Sequence, residues 1–96
     1  MMTKSYILEY LKAHKQELNE KFGLVSIGLF GSYAKDMADE NSDIDLVIQT
    51  KNKDFFIRDD IREYLQQEFK TPVDIGYLES FRGYYRSKIE NEIIYV

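Results

Sequence analysis

Hydrophobic spacing along this chain switches repeatedly between a helical and a strand period, which restricts it to helices layered on a sheet. Ile7, Leu8, Leu11, Leu18 and Phe22 recur at helical steps. They predict a helix over about residues 3–22, capped by Thr3 and closed at Gly23. The next segment, LVSIGLF, is short, β-branched at Val25 and Ile27 and apolar on both faces, as a buried strand is. Gly31-Ser32 then turns the chain into the first turn of a short helix, and the acidic stretch DMADENS reads as loop. From Asp43 to Gln49 the residues alternate, with Ile44, Leu46 and Ile48 on one face and Asp43, Asp45, Val47 and Gln49 on the other. Asp54 can cap a second long helix reaching about Phe69, with Ile57, Ile61, Tyr64, Leu65 and Phe69 as its stripe. Thr71-Pro72 breaks that helix, VDIGYL gives a third strand, and Ser80 is placed to cap a last helix. The inner stripe of that helix would be Phe81, Tyr84 or Tyr85, Ile89 and Ile93. The expected architecture is α/β (α+β): one domain over residues 1–96, a small mixed sheet of about three strands covered by helices.

Charge and composition narrow the function. Thirteen basic against seventeen acidic residues give a net charge of -4, and no basic stripe is visible, so direct DNA or RNA binding is not expected. An acidic domain still binds a nucleotide when a divalent cation bridges the two negative partners. There is no cysteine for a disulfide or thiolate metal site. The first residues lack an apolar signal core and no run approaches a membrane span, so a cytoplasmic location and no membrane association are expected. His14, a lone histidine among Lys12, Lys15 and Gln16, reads as a surface residue.

Two features carry chemistry. A strand ending in Gly31-Ser32 and running into a helix offers free backbone N–H groups and a hydroxyl to a phosphate, although such turns are also common as plain structure. Asp43 and Asp45 project from the same face of one strand with Cα atoms about 6.6 Å apart, from a rise of roughly 3.3 Å per residue. Side chains leaning together from that spacing can share one Mg²⁺, or a pair of ions about 3.5–4 Å apart. Alone, the pair equally marks a solvent face. Asp74, between Val73 and Ile75 with no basic residue beside it, favours a site, because an acid inside a buried strand is costly unless paired or metal-bound.

Together GSYAKDMADENSDIDLVI and VDI resemble the signature of minimal nucleotidyltransferase domains of the DNA polymerase β-like superfamily. The signature is an apolar strand, Gly-Ser, a spacer, Asp-apolar-Asp, and a third Asp on a later strand; IENEIIYV resembles the end of these small proteins. The resemblance implies the polymerase β-like nucleotidyltransferase fold, and transfer of a nucleotidyl group from a nucleoside triphosphate such as ATP with two Mg²⁺ ions. In that reading Gly31 and Ser32 hold the β- and γ-phosphates, and Asp43 and Asp45 bind metal. Asp74 binds one metal and helps deprotonate the attacking hydroxyl. Lys35 falls where these domains are often basic and would touch phosphate; a solvated helix lysine fits it as well. Asp36 stands where relatives commonly have glycine, and aspartate tolerates the left-handed conformation better than most residues.

Small domains of this kind often act as antitoxins beside a HEPN-domain ribonuclease toxin, which implies AMP transfer onto the partner protein, neutralisation by binding, or both. With 96 residues and no evident acceptor-binding domain, the acceptor is expected to bring its own docking surface. The aromatics Phe81, Tyr84, Tyr85 and Tyr95 fit either such a surface or, individually better, the core. Two alternatives stay open: a non-catalytic binding module, and a small-molecule nucleotidyltransferase of the antibiotic-modifying type working as a homo-oligomer.

Overall fold

The computed structural model describes residues 2–96. Helix α1 spans Lys4–Phe22, with Thr3 Oγ1 accepting the Tyr6 N–H at 3.1 Å. It ends at Gly23, whose φ of +72° lets its N–H close on the Asn19 carbonyl at 2.9 Å. Strand β1 is Leu24–Phe30, α2 is the single turn Gly31–Ala34, and β2 is Ile44–Thr50. Helix α3, Phe55–Phe69, starts at Asp54, whose carboxylate accepts the Phe56 N–H at 2.7 Å. Strand β3 is Val73–Tyr77, followed by a 3₁₀ turn at Leu78–Ser80, helix α4 at Gly83–Glu90 and strand β4 at Ile94–Tyr95. The buried Tyr77 hydroxyl donates to the Asp54 carbonyl at 2.6 Å and accepts the Asp54 N–H at 3.0 Å, fixing the start of α3 to the sheet.

The strand order is β3-β2-β1-β4, with β2 and β3 parallel and both other pairs antiparallel. Registered residues share a face, so Leu29, Leu46 and Ile75 form one row and Ile27, Ile48 and Tyr77 another. Those rows pack with Ile7, Leu11 and Leu18 of α1 and with Ile61, Leu65 and Phe69 of α3 to make the core. At about 1.5–3 kcal/mol for each fully buried large aliphatic side chain, this layer dominates the stability of the fold.

The second face carries the rows Gly28–Val47–Gly76 and Phe30–Asp45–Asp74. Neighbours lie where two of those residues have no Cβ. Ile93 fills the space over Gly28, and the Phe81 ring comes within 2.9 Å of where a Gly76 Cβ would sit. The segment from Phe81 onward therefore covers the Gly28–Val47–Gly76 row, while the Phe30–Asp45–Asp74 row borders an open cleft.

Four details differ from expectation. The sheet has a fourth strand: β4 is too short to show a period and exists because its backbone pairs with Gly28 and Leu29. Asp43 precedes β2 instead of opening it. Ser80 ends the 3₁₀ turn, and α4 begins after Arg82 without a side-chain cap. Tyr84 and Tyr85 are 84% and 52% exposed, and Tyr95 is also exposed, so these tyrosines are not core. With only eight residues, α4 buries one of its side chains, Ile89. Among the described residues no helix is long and apolar enough to cross a membrane.

Candidate active site

The site starts with the turn after β1. Gly31 has φ +77°, in the left-handed region, and a Cβ there would overlap the Asp45 carboxylate. Both the backbone angle and the close approach require glycine. The Lys35 N–H then closes on the Gly31 carbonyl at 3.2 Å and the Met37 N–H on the Ser32 carbonyl at 2.9 Å, completing a tight turn beside the sheet.

Across the sheet, Asp45 pairs in register with Phe30 on one side and Asp74 on the other. Registered carboxylates on parallel strands project from the same face, one strand spacing apart (about 4.8 Å). Asp45 is half-buried and its pKa is pushed up to about 6, first by burial, then by the charges of Asp74 and Asp43. Asp74 and Asp43 are exposed. This corrects the expectation of a buried Asp74: β3 is an edge strand, and desolvation falls on Asp45 in the inner strand instead.

Among the described residues, none of the three aspartates has an ion-pair partner; the ion pairs are Lys4–Asp36, Lys35–Glu92, Arg58–Asp59 and Arg86–Glu90. Nor, among the described residues, does any group of three His, Cys, Asp or Glu side chains come together so as to hold a metal ion. A few separated carboxylates without a protein cation are nevertheless the donor set that Mg²⁺ takes, since it keeps waters and binds substrate phosphates alongside one or two acids. The residues present fit that ion.

These groups face a cleft of about 640 Å³, within the size range of small-ligand sites. Gly31, Lys35, Asp45 and Asp74 line it together with Phe30, Phe81, Tyr85, Lys88 and Glu92. Ser32 and Asp43 lie just outside its walls. Lys35 follows α2, and its Nζ lies 3.0 Å from Glu92 Oε1. Glu92, Lys88 and Phe30 were not singled out as site residues from the sequence. No local pattern announces Glu92 and Lys88, because the C-terminal segment is brought over the sheet only by the tertiary fold, and Phe30 reads simply as the last apolar residue of β1.

Asp36 adopts φ +58°, so the left-handed turn survives without glycine. Its carboxylate lies 2.9 Å from Lys4 Nζ, at a separate depression lined by Met2, Thr3, Tyr33 and Ala38, so its charge stays outside the cleft. His14 is half-buried, not on the open surface as expected. Its ring stacks on Tyr10 at 3.9 Å, and Nδ1 lies 2.8 Å from the Tyr10 carbonyl oxygen. It has no part in the cleft.

The site thus joins a tight glycine turn to carboxylates without an ion-pair partner. The sequence pattern of the nucleotidyltransferase domain family matches residues 11–96, and the chain belongs to that family and is an enzyme of the nucleotidyltransferase class. It is 33% identical over 97 residues to the protein adenylyltransferase MntA of Thermococcus cleftensis, covering 100% of this chain and 98% of that protein. A solved structure of a candidate minimal nucleotidyltransferase superposes with a TM-score of 0.80 at 23% identity, covering 97% of this chain and 95% of the other. A toxin–antitoxin crystal structure with AMP-PNP superposes with a TM-score of 0.71 at 23% identity, covering 88% and 70%. The two structural likenesses carry the fold.

Proposed function

We propose that this chain is a single-domain, Mg²⁺-dependent adenylyltransferase that passes AMP from ATP to a partner protein, acting in the cytoplasm as the antitoxin of a HEPN-type toxin. The observation that carries this reading is the register of Asp45 with Asp74 beside the Gly31 turn. The full-length similarity to a protein adenylyltransferase supports the reaction, and the shared fold with a toxin–antitoxin component supports the kind of partner.

In this reading Gly31 and Ser32 receive the β- and γ-phosphates at the N–H groups of the α2 turn, and glycine at 31 makes room for the Asp45 carboxylate beside them. Asp45 and Asp74, in register, would hold the magnesium, with Asp43 beside them just before β2. When bound, Mg²⁺ supplies charge neutralisation on the phosphates and a more acidic acceptor hydroxyl. With its pKa near 6, Asp45 is ionised at neutral pH and available as a ligand. Asp74, exposed on the edge strand, is reachable by an acceptor arriving from solution and takes its hydroxyl proton. The acceptor oxygen then bonds to the α-phosphorus as the bond to pyrophosphate breaks. Lys35 turns from Glu92 to the phosphates.

The test is incubation with α-labelled ATP, Mg²⁺ and the co-purified partner. Covalent adenylate on the partner is expected, and Asp43→Asn/Asp45→Asn should lower it by about 100-fold or more. Equal labelling by that double variant rules the mechanism out.

A further inference from the structure

The far wall of the cleft is aromatic, and the transfer chemistry makes no use of it. Phe81 is held edge-on by Phe30, with ring centroids 5.9 Å apart and planes at 78°. It lies over Gly76, where any side chain would displace it. Four residues on, in α4, Tyr85 lies parallel to Phe81, with centroids 5.7 Å apart and planes 2° from parallel. Tyr85 is half exposed and lines the same cleft as Gly31, Asp45 and Asp74. Two parallel rings, one wedged in place, form a surface whose orientation is set before any ligand arrives, so stacking on it loses little side-chain entropy.

The spacing along the sheet says what fits there. Gly76 lies two residues beyond Asp74 on the same face of β3, about 6.6 Å along the strand. The Phe81 ring over Gly76 therefore stands about one ribose away from the carboxylates, with Tyr85 beside it. We infer that the Phe81–Tyr85 ring pair is the nucleobase platform of this cleft, taking the base of the triphosphate by stacking. This rests on the reading of Gly31 and the aspartates as the triphosphate site. Stacking is tolerant because every base has a π face. The platform therefore contributes affinity for nucleoside triphosphates as a class, without strong choice among the bases.

Calorimetric titration with Mg²⁺-ATP and, separately, Mg²⁺-tripolyphosphate, which has no base, tests this on the intact chain. Tyr85→Ala should raise the Kd for ATP by about 5- to 100-fold. It should leave tripolyphosphate binding unchanged, and Tyr85→Phe should restore ATP binding. Tyr85 is exposed enough for the fold to tolerate these changes, which circular dichroism checks. If Tyr85→Ala binds ATP as tightly as the unmodified protein, or loses ATP and tripolyphosphate equally, the platform is refuted while the phosphate site stands. Weakened capture of the partner with unchanged ATP binding assigns the rings to a protein contact and also refutes it. If the unmodified protein binds neither ligand, the proposed function fails first.

Discussion

Asp45→Asn should make the metal-free protein more stable at neutral pH while removing its activity. The carboxylate sits half-buried on Gly31, with Asp74 in register and Asp43 nearby, and its pKa is pushed from 3.8 up to about 6. At about 1.36 kcal/mol per pH unit, that difference corresponds to roughly 3 kcal/mol of unfavourable ionisation. Asp45 is only half-buried, so solvent screening reduces the expected effect to about 1 kcal/mol. For a domain of this size that is a rise of about 4–8 °C in Tm. The sign follows from linkage. A raised folded-state pKa means that the favourable contribution is complete below about pH 3.8 and is lost as pH climbs through about 6. Asparagine has no such titration, so the advantage of the variant should be full above about pH 7 and shrink toward pH 4. Thermal unfolding in EDTA at about pH 7.5 and pH 4.5 measures it. Adding Mg²⁺ should then raise the Tm of the unmodified protein more than that of the variant. An Asp45→Asn protein that melts at or below the unmodified protein at pH 7.5, or with a gap independent of pH, would refute the placement of an uncompensated charge at this position.

Gly31→Ala should cost about 1–3 kcal/mol, from left-handed backbone strain and displacement of the Asp45 carboxylate, and should weaken ATP binding; urea unfolding and calorimetry check the two effects. Asp36→Gly should change stability by no more than about 0.5 kcal/mol and leave adenylate transfer unchanged, because the glycine suits φ +58° and the lost Lys4 pair is exposed. A drop in transfer by Asp36→Gly would place that carboxylate in the site.

Local rules made much of this molecule legible. Thr3, Gly23 and Asp54 act as caps because capping is decided by neighbours a few residues away. The alternation of Ile44, Leu46 and Ile48 marks one buried face of β2, while on the Asp45 face Val47 is buried as well. The Gly31 turn and the aspartates were visible as residue types at characteristic separations. What escaped depends on distant partners. The two-residue β4 has no pattern of its own and is defined by its pairing with β1. Asp74 looks interior in VDIGYL, yet its strand ends up at the edge of the sheet, and strand order is not written in a local period. Tyr84 and Tyr85 fit a helical stripe, but α4 is too short and too peripheral to bury them. Gly28 and Gly76 are the places where Ile93 and Phe81 approach the backbone, and no local period marks them.

The position of Asp74 on the outermost strand has a consequence for solubility. An edge presents unpaired backbone groups to any other extended chain, and a charged side chain there is a common guard against unwanted pairing. Under the proposed function one carboxylate thus answers two selective pressures, keeping neighbouring molecules apart and serving the acceptor. Neutralising it to disable the chemistry also strips the rim of that protection.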